Sequence, residues 1–66
     1  MEIVVNGEPR RAPDGCTLLE LLQALAIEPS RIAIELNGEI VKKAQWPEVR
    51  VPPNATLEIV HFVGGG

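Results

Sequence analysis

Hydrophobic and polar residues alternate at the start of the chain. In "MEIVV" the three odd-numbered apolar residues share one face, and Glu2 and Val4 share the other. The Asn-Gly dipeptide at 6–7 is typical of a tight hairpin, because both of its turn positions need positive φ. We therefore predict a return strand over residues 8–12. Pro9 cannot donate a ladder hydrogen bond, which predicts that this strand lies at a sheet edge.

The segment "CTLLELLQAL" has the periodicity of a helix. Thr17 and Glu20 have the spacing of a capping box, and Cys16 and Leu21 that of a hydrophobic staple. The pattern predicts a helix that ends near residues 26–28, before a proline. One apolar stripe is formed by Leu18, Leu21, Leu22 and Leu25.

A second hairpin is predicted in "RIAIELNGEIVKK", again around an Asn-Gly turn. Residues 43–55 follow as a long connection rich in proline, in which Trp46 is expected to plug the core. The last alternating segment, "TLEIVHFV", predicts a final strand. One helix can cover only one face of a sheet, so the order ββαβββ predicts a two-layer α+β fold.

Composition and charge narrow the possible functions. The 66 residues fit one domain, and a single cysteine excludes an internal disulfide or a cysteine-based metal cluster. A net charge of −3 with scattered basic residues argues against nucleic acid. No stretch has the apolar length of a membrane span, and the start lacks a signal-peptide pattern, so we expect a cytoplasmic protein. We find no catalytic residues and no metal ligands in the sequence.

The order of these elements resembles the ubiquitin-like β-grasp family, a mixed sheet with one helix on one face. The length and the segments "VNGE", "TLLELL", "AIELNGEIV", "QW" and "FVGGG" more specifically resemble the bacterial sulfur carriers of thiamine biosynthesis, the ThiS family. The resemblance covers essentially the whole chain. It implies a β-grasp domain over residues 1–63 and a flexible glycine tail over residues 64–66.

The resemblance also implies the chemistry of the chain. In that family an E1-like adenylyltransferase, related to ubiquitin activators, uses ATP and Mg²⁺ to adenylate the C-terminal carboxylate, here that of Gly66. A sulfur donor, typically the persulfide of a cysteine desulfurase, then leaves a thiocarboxylate that thiazole synthase consumes. Gly64 and Gly65 would thread the partner's channel, because glycine has no Cβ and adopts φ values closed to other residues. The chain would be a cosubstrate and not an enzyme, with no cofactor of its own.

Three alternatives remain open at this point. The small subunit of molybdopterin synthase, and carriers for tRNA thiolation or cysteine synthesis, share this fold and tail. A ubiquitin-like modifier would be joined to lysines instead. An interaction module with an inert tail would undergo neither reaction.

Outside the tail, a few side chains are candidates for a role. Val4, Val60 and Phe62 are predicted to form one apolar patch on the open face of the sheet, where a partner could dock. Cys16 is interpreted as a small core residue and His61 as a solvated strand residue, since a lone histidine is too little for a metal site.

Overall fold

The computed structural model of the protein describes residues 1–62, and over these residues the chain forms five β-strands and one α-helix. The predicted boundary between the domain of residues 1–63 and the tail of residues 64–66 lies outside this part. A 3₁₀ helix, Lys43–Gln45, was not predicted and opens the long connection. The other elements are β1 (Glu2–Val5), β2 (Glu8–Arg11), α1 (Leu18–Ala24), β3 (Ile32–Leu36), β4 (Glu39–Val41) and β5 (Thr56–His61).

The sheet is mixed and has the order β2-β1-β5-β3-β4. β5 runs parallel to β1 and antiparallel to β3, so the last strand in sequence lies at the centre. Helix and sheet share one core, which confirms the predicted α+β class. Met1, Leu25 and Leu36 are only partly buried, at the margin of this core. The fully buried members from helix and strands include Ile3, Leu18, Leu21, Leu22, Ile34 and Leu57.

Both Asn-Gly turns have the backbone geometry that their sequences predict. The φ values are 51° and 81° at Asn6 and Gly7, and 50° and 85° at Asn37 and Gly38. These left-handed conformations match the twist of the flanking strands in a two-residue hairpin. Pro9 lies in β2, which forms one edge of the sheet as predicted.

The start of α1 is held by its cap and by the long connection. The predicted capping box is present: Glu20 N donates to Thr17 Oγ1 (3.1 Å), and Thr17 N donates to Glu20 Oε1 (2.8 Å). The amides of Leu18 and Leu19, which have no acceptor within a helix, donate to the carbonyls of Val49 and Trp46. The connection thus supplies the acceptors that the first turn of the helix needs.

Trp46 anchors this connection on the core, as predicted. Its side chain is only 2% exposed, and its Nε1–H donates to the carbonyl oxygen of Val41 at 2.9 Å. A buried indole needs such an acceptor because its one polar group cannot reach water. The contact ties the connection to the end of β4, and the carbonyl oxygen of Trp46 accepts from Leu19 N at the start of α1.

The helix ends earlier than predicted, at Ala24 instead of residues 26–28. Leu25 caps it, and Ala26 adopts a left-handed φ of 57°. Ala26 N donates to Gln23 O (3.1 Å) and Ile27 N to Leu22 O (2.8 Å), the two bonds of a Schellman motif. The prediction from Pro29 placed the end of the helix too late, because the Schellman motif ends the helix about one turn before that proline. Alanine occupies a position that glycine usually fills.

We predict opposite effects of one substitution at two neighbouring positions. Ala26→Gly should raise the free energy of unfolding by up to about 1 kcal/mol, because glycine adopts positive φ without the steric cost that alanine has. Ala24→Gly, the matched control inside the helix, should lower it by about 1 kcal/mol. Urea unfolding followed by circular dichroism measures both. A decrease at both positions would contradict the left-handed assignment of Ala26.

Candidate functional site

The candidate site is the end of β5, from which the chain continues toward the glycines. The ladder with β3 extends beyond the strand, because Phe62 N donates to the carbonyl oxygen of Arg31 at 2.8 Å. The residues predicted to carry the chemistry, Gly64, Gly65 and Gly66, lie outside the described residues. The backbone is therefore hydrogen-bonded to the neighbouring strand segment up to Phe62, the last residue that the structure describes.

Asn6 supports β5 where β1 has ended. Val5 lies beside Leu57 in the parallel register, so β5 continues past the first hairpin. There the Asn6 side chain binds both backbone groups of Ile59: its Oδ1 accepts from Ile59 N (2.7 Å), and its Nδ2 donates to Ile59 O (3.0 Å). The amide group replaces the strand neighbour that β5 lacks at this point.

Asn37, in the second hairpin, supports the beginning of the same strand. Its Oδ1 accepts from Thr56 N (2.9 Å), and its backbone N donates to Thr56 O (2.7 Å). Both asparagines were predicted only as turn residues, and their side-chain bonds to β5 were not predicted. Glycine would also allow positive φ at these two turn positions. The presence of asparagine was therefore the signal that its side chain forms further hydrogen bonds.

The structure brings two of the three predicted patch residues together. Val60 and Phe62 are 56% and 58% exposed, two residues apart along the chain. Val4 is half-buried and lies beside Thr56 in the parallel register, about 13 Å from Val60 along β5 at 3.3 Å per residue. The expected contiguous patch is therefore divided, because Glu58 lies between Thr56 and Val60 on the same face.

Cys16 lies in the core. Its side chain is 4% exposed, burial raises the pKa of its thiol, and the nearby Glu20 carboxylate raises that pKa further. Since the thiolate is the reactive form of cysteine, this environment disfavours a nucleophilic role. The structural interpretation of Cys16 agrees with its position.

His61 is exposed at the end of β5. Among residues 1–62, no three or more histidine, cysteine, aspartate or glutamate side chains are grouped so that they could hold a metal ion. None of the helices in this part of the chain is long and apolar enough to cross a membrane.

Comparison with protein families gives one clear match. Residues 3–66 match the model of the ThiS family, so the match spans the described domain and the glycines. The chain is 40% identical over 53 residues to the sulfur carrier protein ThiS of Bacillus subtilis, covering 80% of each chain.

Comparison with solved structures finds the same fold. The crystal structure of the thiamine biosynthesis protein ThiS from Geobacter metallireducens superimposes with a TM-score of 0.86 at 30% identity, and each chain is covered completely. This match confirms the predicted ubiquitin-like β-grasp fold.

Two larger relatives contain a segment similar to this chain. The thiazole synthases of Magnetococcus marinus and Paramagnetospirillum magneticum are 39% and 41% identical over 66 residues. The whole of this chain is covered in both comparisons, but it spans only 20% of each enzyme's length.

We predict that the side-chain amide of Asn6 is needed to hold the end of β5. Asn6→Gly keeps positive φ accessible but leaves the two backbone groups of Ile59 without their partner. The free energy of unfolding should fall by about 1–3 kcal/mol, and amide exchange of Ile59, measured by NMR, should accelerate. Asn37→Gly is the matched control: it should accelerate exchange at Thr56 and leave Ile59 protected. Unchanged exchange at Ile59 in Asn6→Gly would contradict the role.

Proposed function

This chain belongs to the ThiS family, and on that premise we propose that it is a sulfur carrier protein of thiamine biosynthesis whose reactive group is the carboxylate of Gly66. The observation that carries the proposal is the family match through residue 66, which includes all three glycines of the tail. The described body contributes by fixing the strand that leads to them.

The proposed reaction begins with activation of the carboxylate. A carboxylate is a poor electrophile, and its charge repels a sulfur nucleophile. An E1-like adenylyltransferase using ATP and Mg²⁺ would form an acyl-adenylate, which removes the charge and supplies AMP as the leaving group. Attack by the terminal sulfur of a persulfide, for example on a cysteine desulfurase, would release AMP and form an acyl disulfide. A second thiol would then attack the cysteine sulfur, forming a disulfide with it and releasing the thiocarboxylate.

In this role the chain is a protein cosubstrate and not an enzyme, and thiazole synthase is its proposed acceptor in the cytoplasm. The two thiazole synthases with a segment similar to the whole of this chain support that partner. In such enzymes a domain like this one is covalently joined to the rest of the protein.

The short tail requires the partner to contact the body. Residues 63–66 can span at most about 14 Å when fully extended, at up to 3.6 Å per residue. Any active site that reaches Gly66 must therefore lie close to Phe62. We assign the docking patch to Val60 and Phe62, which are exposed beside the exit of the tail, and expect a smaller contribution from Val4.

The reaction can be tested by intact-mass spectrometry. The chain is incubated with the adenylyltransferase, ATP, Mg²⁺, a persulfide donor and a thiol reductant. We expect one oxygen to be replaced by sulfur in the wild type. Gly65→Leu should not be converted, because its side chain would obstruct a narrow channel. A variant with alanine added after Gly66 should also fail, because the reactive carbonyl is displaced and crowded by a methyl group.

Other outcomes would contradict the assignment. Conversion of the extended variant without trimming would remove the role of Gly66. High-mass conjugates to lysine would indicate a modifier. Sulfur transfer to a molybdopterin precursor in place of the thiazole would indicate another pathway.

The docking patch is tested by the Michaelis constant of the adenylyltransferase for this chain. Phe62→Asp should raise that constant about tenfold or more, because a charge replaces an apolar contact beside the tail. Val60→Thr should raise it less, and Val4→Thr, the same change about 13 Å away, should raise it least. Equal constants for wild type and Phe62→Asp would exclude the docking role.

A further inference from the structure

Two glutamates lie directly opposite each other on the open face of the sheet. The antiparallel register of β3 and β5 pairs Glu35 with Glu58, and both side chains are exposed. Cβ atoms of such pairs are about 5 Å apart, and like charges at this distance destabilise a sheet. Within residues 1–62 neither carboxylate forms a salt bridge with a basic group. The free domain therefore retains an unfavourable pair at its surface.

Apolar side chains lie on two sides of this pair, and Thr56 lies next to Glu58 on the same face of β5. Ile40 in β4 lies opposite Glu35 and is 74% exposed, the most exposed large hydrophobic side chain among residues 1–62. On the same face, two residues away along each strand, Ala33 lies opposite Val60, which is also exposed. The two carboxylates thus lie between apolar groups on a surface continuous with the docking patch.

The chemistry of this surface, two carboxylates with apolar neighbours, suits the binding of an arginine side chain that has apolar side chains around it. A guanidinium has five donors in a planar fork, so one group can bind oxygens of both carboxylates. It is also weakly hydrated and packs on apolar neighbours, which a lysine ammonium does less well. The net charge of −3 favours approach of a basic surface.

We propose that Glu35 and Glu58 together bind an arginine of the adenylyltransferase, with Ile40, Ala33 and Val60 packing around it. This inference rests on the proposed function for the identity of the partner. Arg31 and Lys42 lie at the margin of this surface, and neither is salt-bridged to the two glutamates within the described residues. The positive charge of the partner relieves the repulsion between the two glutamates. This relief makes the free energy of binding more favourable.

The test compares two double variants with the same change of charge. Glu35→Gln with Glu58→Gln removes the pair, and Glu28→Gln with Glu48→Gln removes two exposed glutamates outside the sheet. With the purified adenylyltransferase, pyrophosphate exchange gives kcat and the Michaelis constant for the carrier, and calorimetry gives Kd. The first variant should raise Kd and the Michaelis constant about tenfold with kcat unchanged, and the second less than about twofold.

Thermal unfolding of the free domain supplies a readout independent of any partner. The Glu35/Glu58 variant should melt at a higher temperature than the wild type, because the like-charge repulsion is gone. An equal or lower melting temperature would overturn the premise that the two glutamates repel each other. A similar rise of the Michaelis constant in both double variants would show an effect of net charge alone and would overturn the arginine site. Impaired transfer to thiazole synthase with normal adenylation would also overturn the proposed partner.

These outcomes separate the inference from the proposed function. Adenylation of the wild type with an unchanged Michaelis constant in the Glu35/Glu58 variant would refute the arginine site and leave the carrier function standing. Binding of the wild type that weakens in this variant, without any adenylation, would support the site and refute the carrier function. No binding of the wild type would refute both.

Discussion

The structure depends on the central position of β5. This strand comes last in the described chain, yet it lies between β1 and β3, with Leu57 fully buried and Ile59 nearly so. A central strand needs hydrogen-bond partners on both sides, and the two hairpins supply them through β1, β3 and the turn asparagines. The segment that leads to the glycines is thereby part of the core and not an appendage.

The two faces of the sheet differ in how far they are covered. The helix, Trp46 and the connection cover one face, and together with the inward side chains of β1, β3 and β5 they form the hydrophobic core. The other face remains open, and its exposed hydrophobic groups are Ile40 in β4 and Val60 and Phe62 at the end of β5. The open face is therefore the surface on which the proposed partner contacts are placed.

Features encoded within a few residues were predictable, and features set by distant pairing were not. The capping box, both turns and the edge position of Pro9 each follow from local chemistry. The end of α1 was missed because nothing in the sequence around Ala26 requires a left-handed alanine. Val4 was grouped with Val60 because alternation gives the face of a residue but not the register between β1 and β5. The opposition of Glu35 and Glu58 depends on a register of the same kind.

The parallel pairing of β1 with β5 also has a mechanical consequence. Tension applied beyond Phe62 and resisted at the beginning of β1 pulls the two strands along their length, in opposite directions. The backbone bonds from Val4 to Ala55 and from Asn6 to Leu57 are then loaded in shear together with the side-chain bonds of Asn6 to Ile59. They cannot open one after another as in a zipper. If an enzyme drew the tail into a narrow channel, as proposed, the force would act on a domain whose strand pairing resists unfolding from that end.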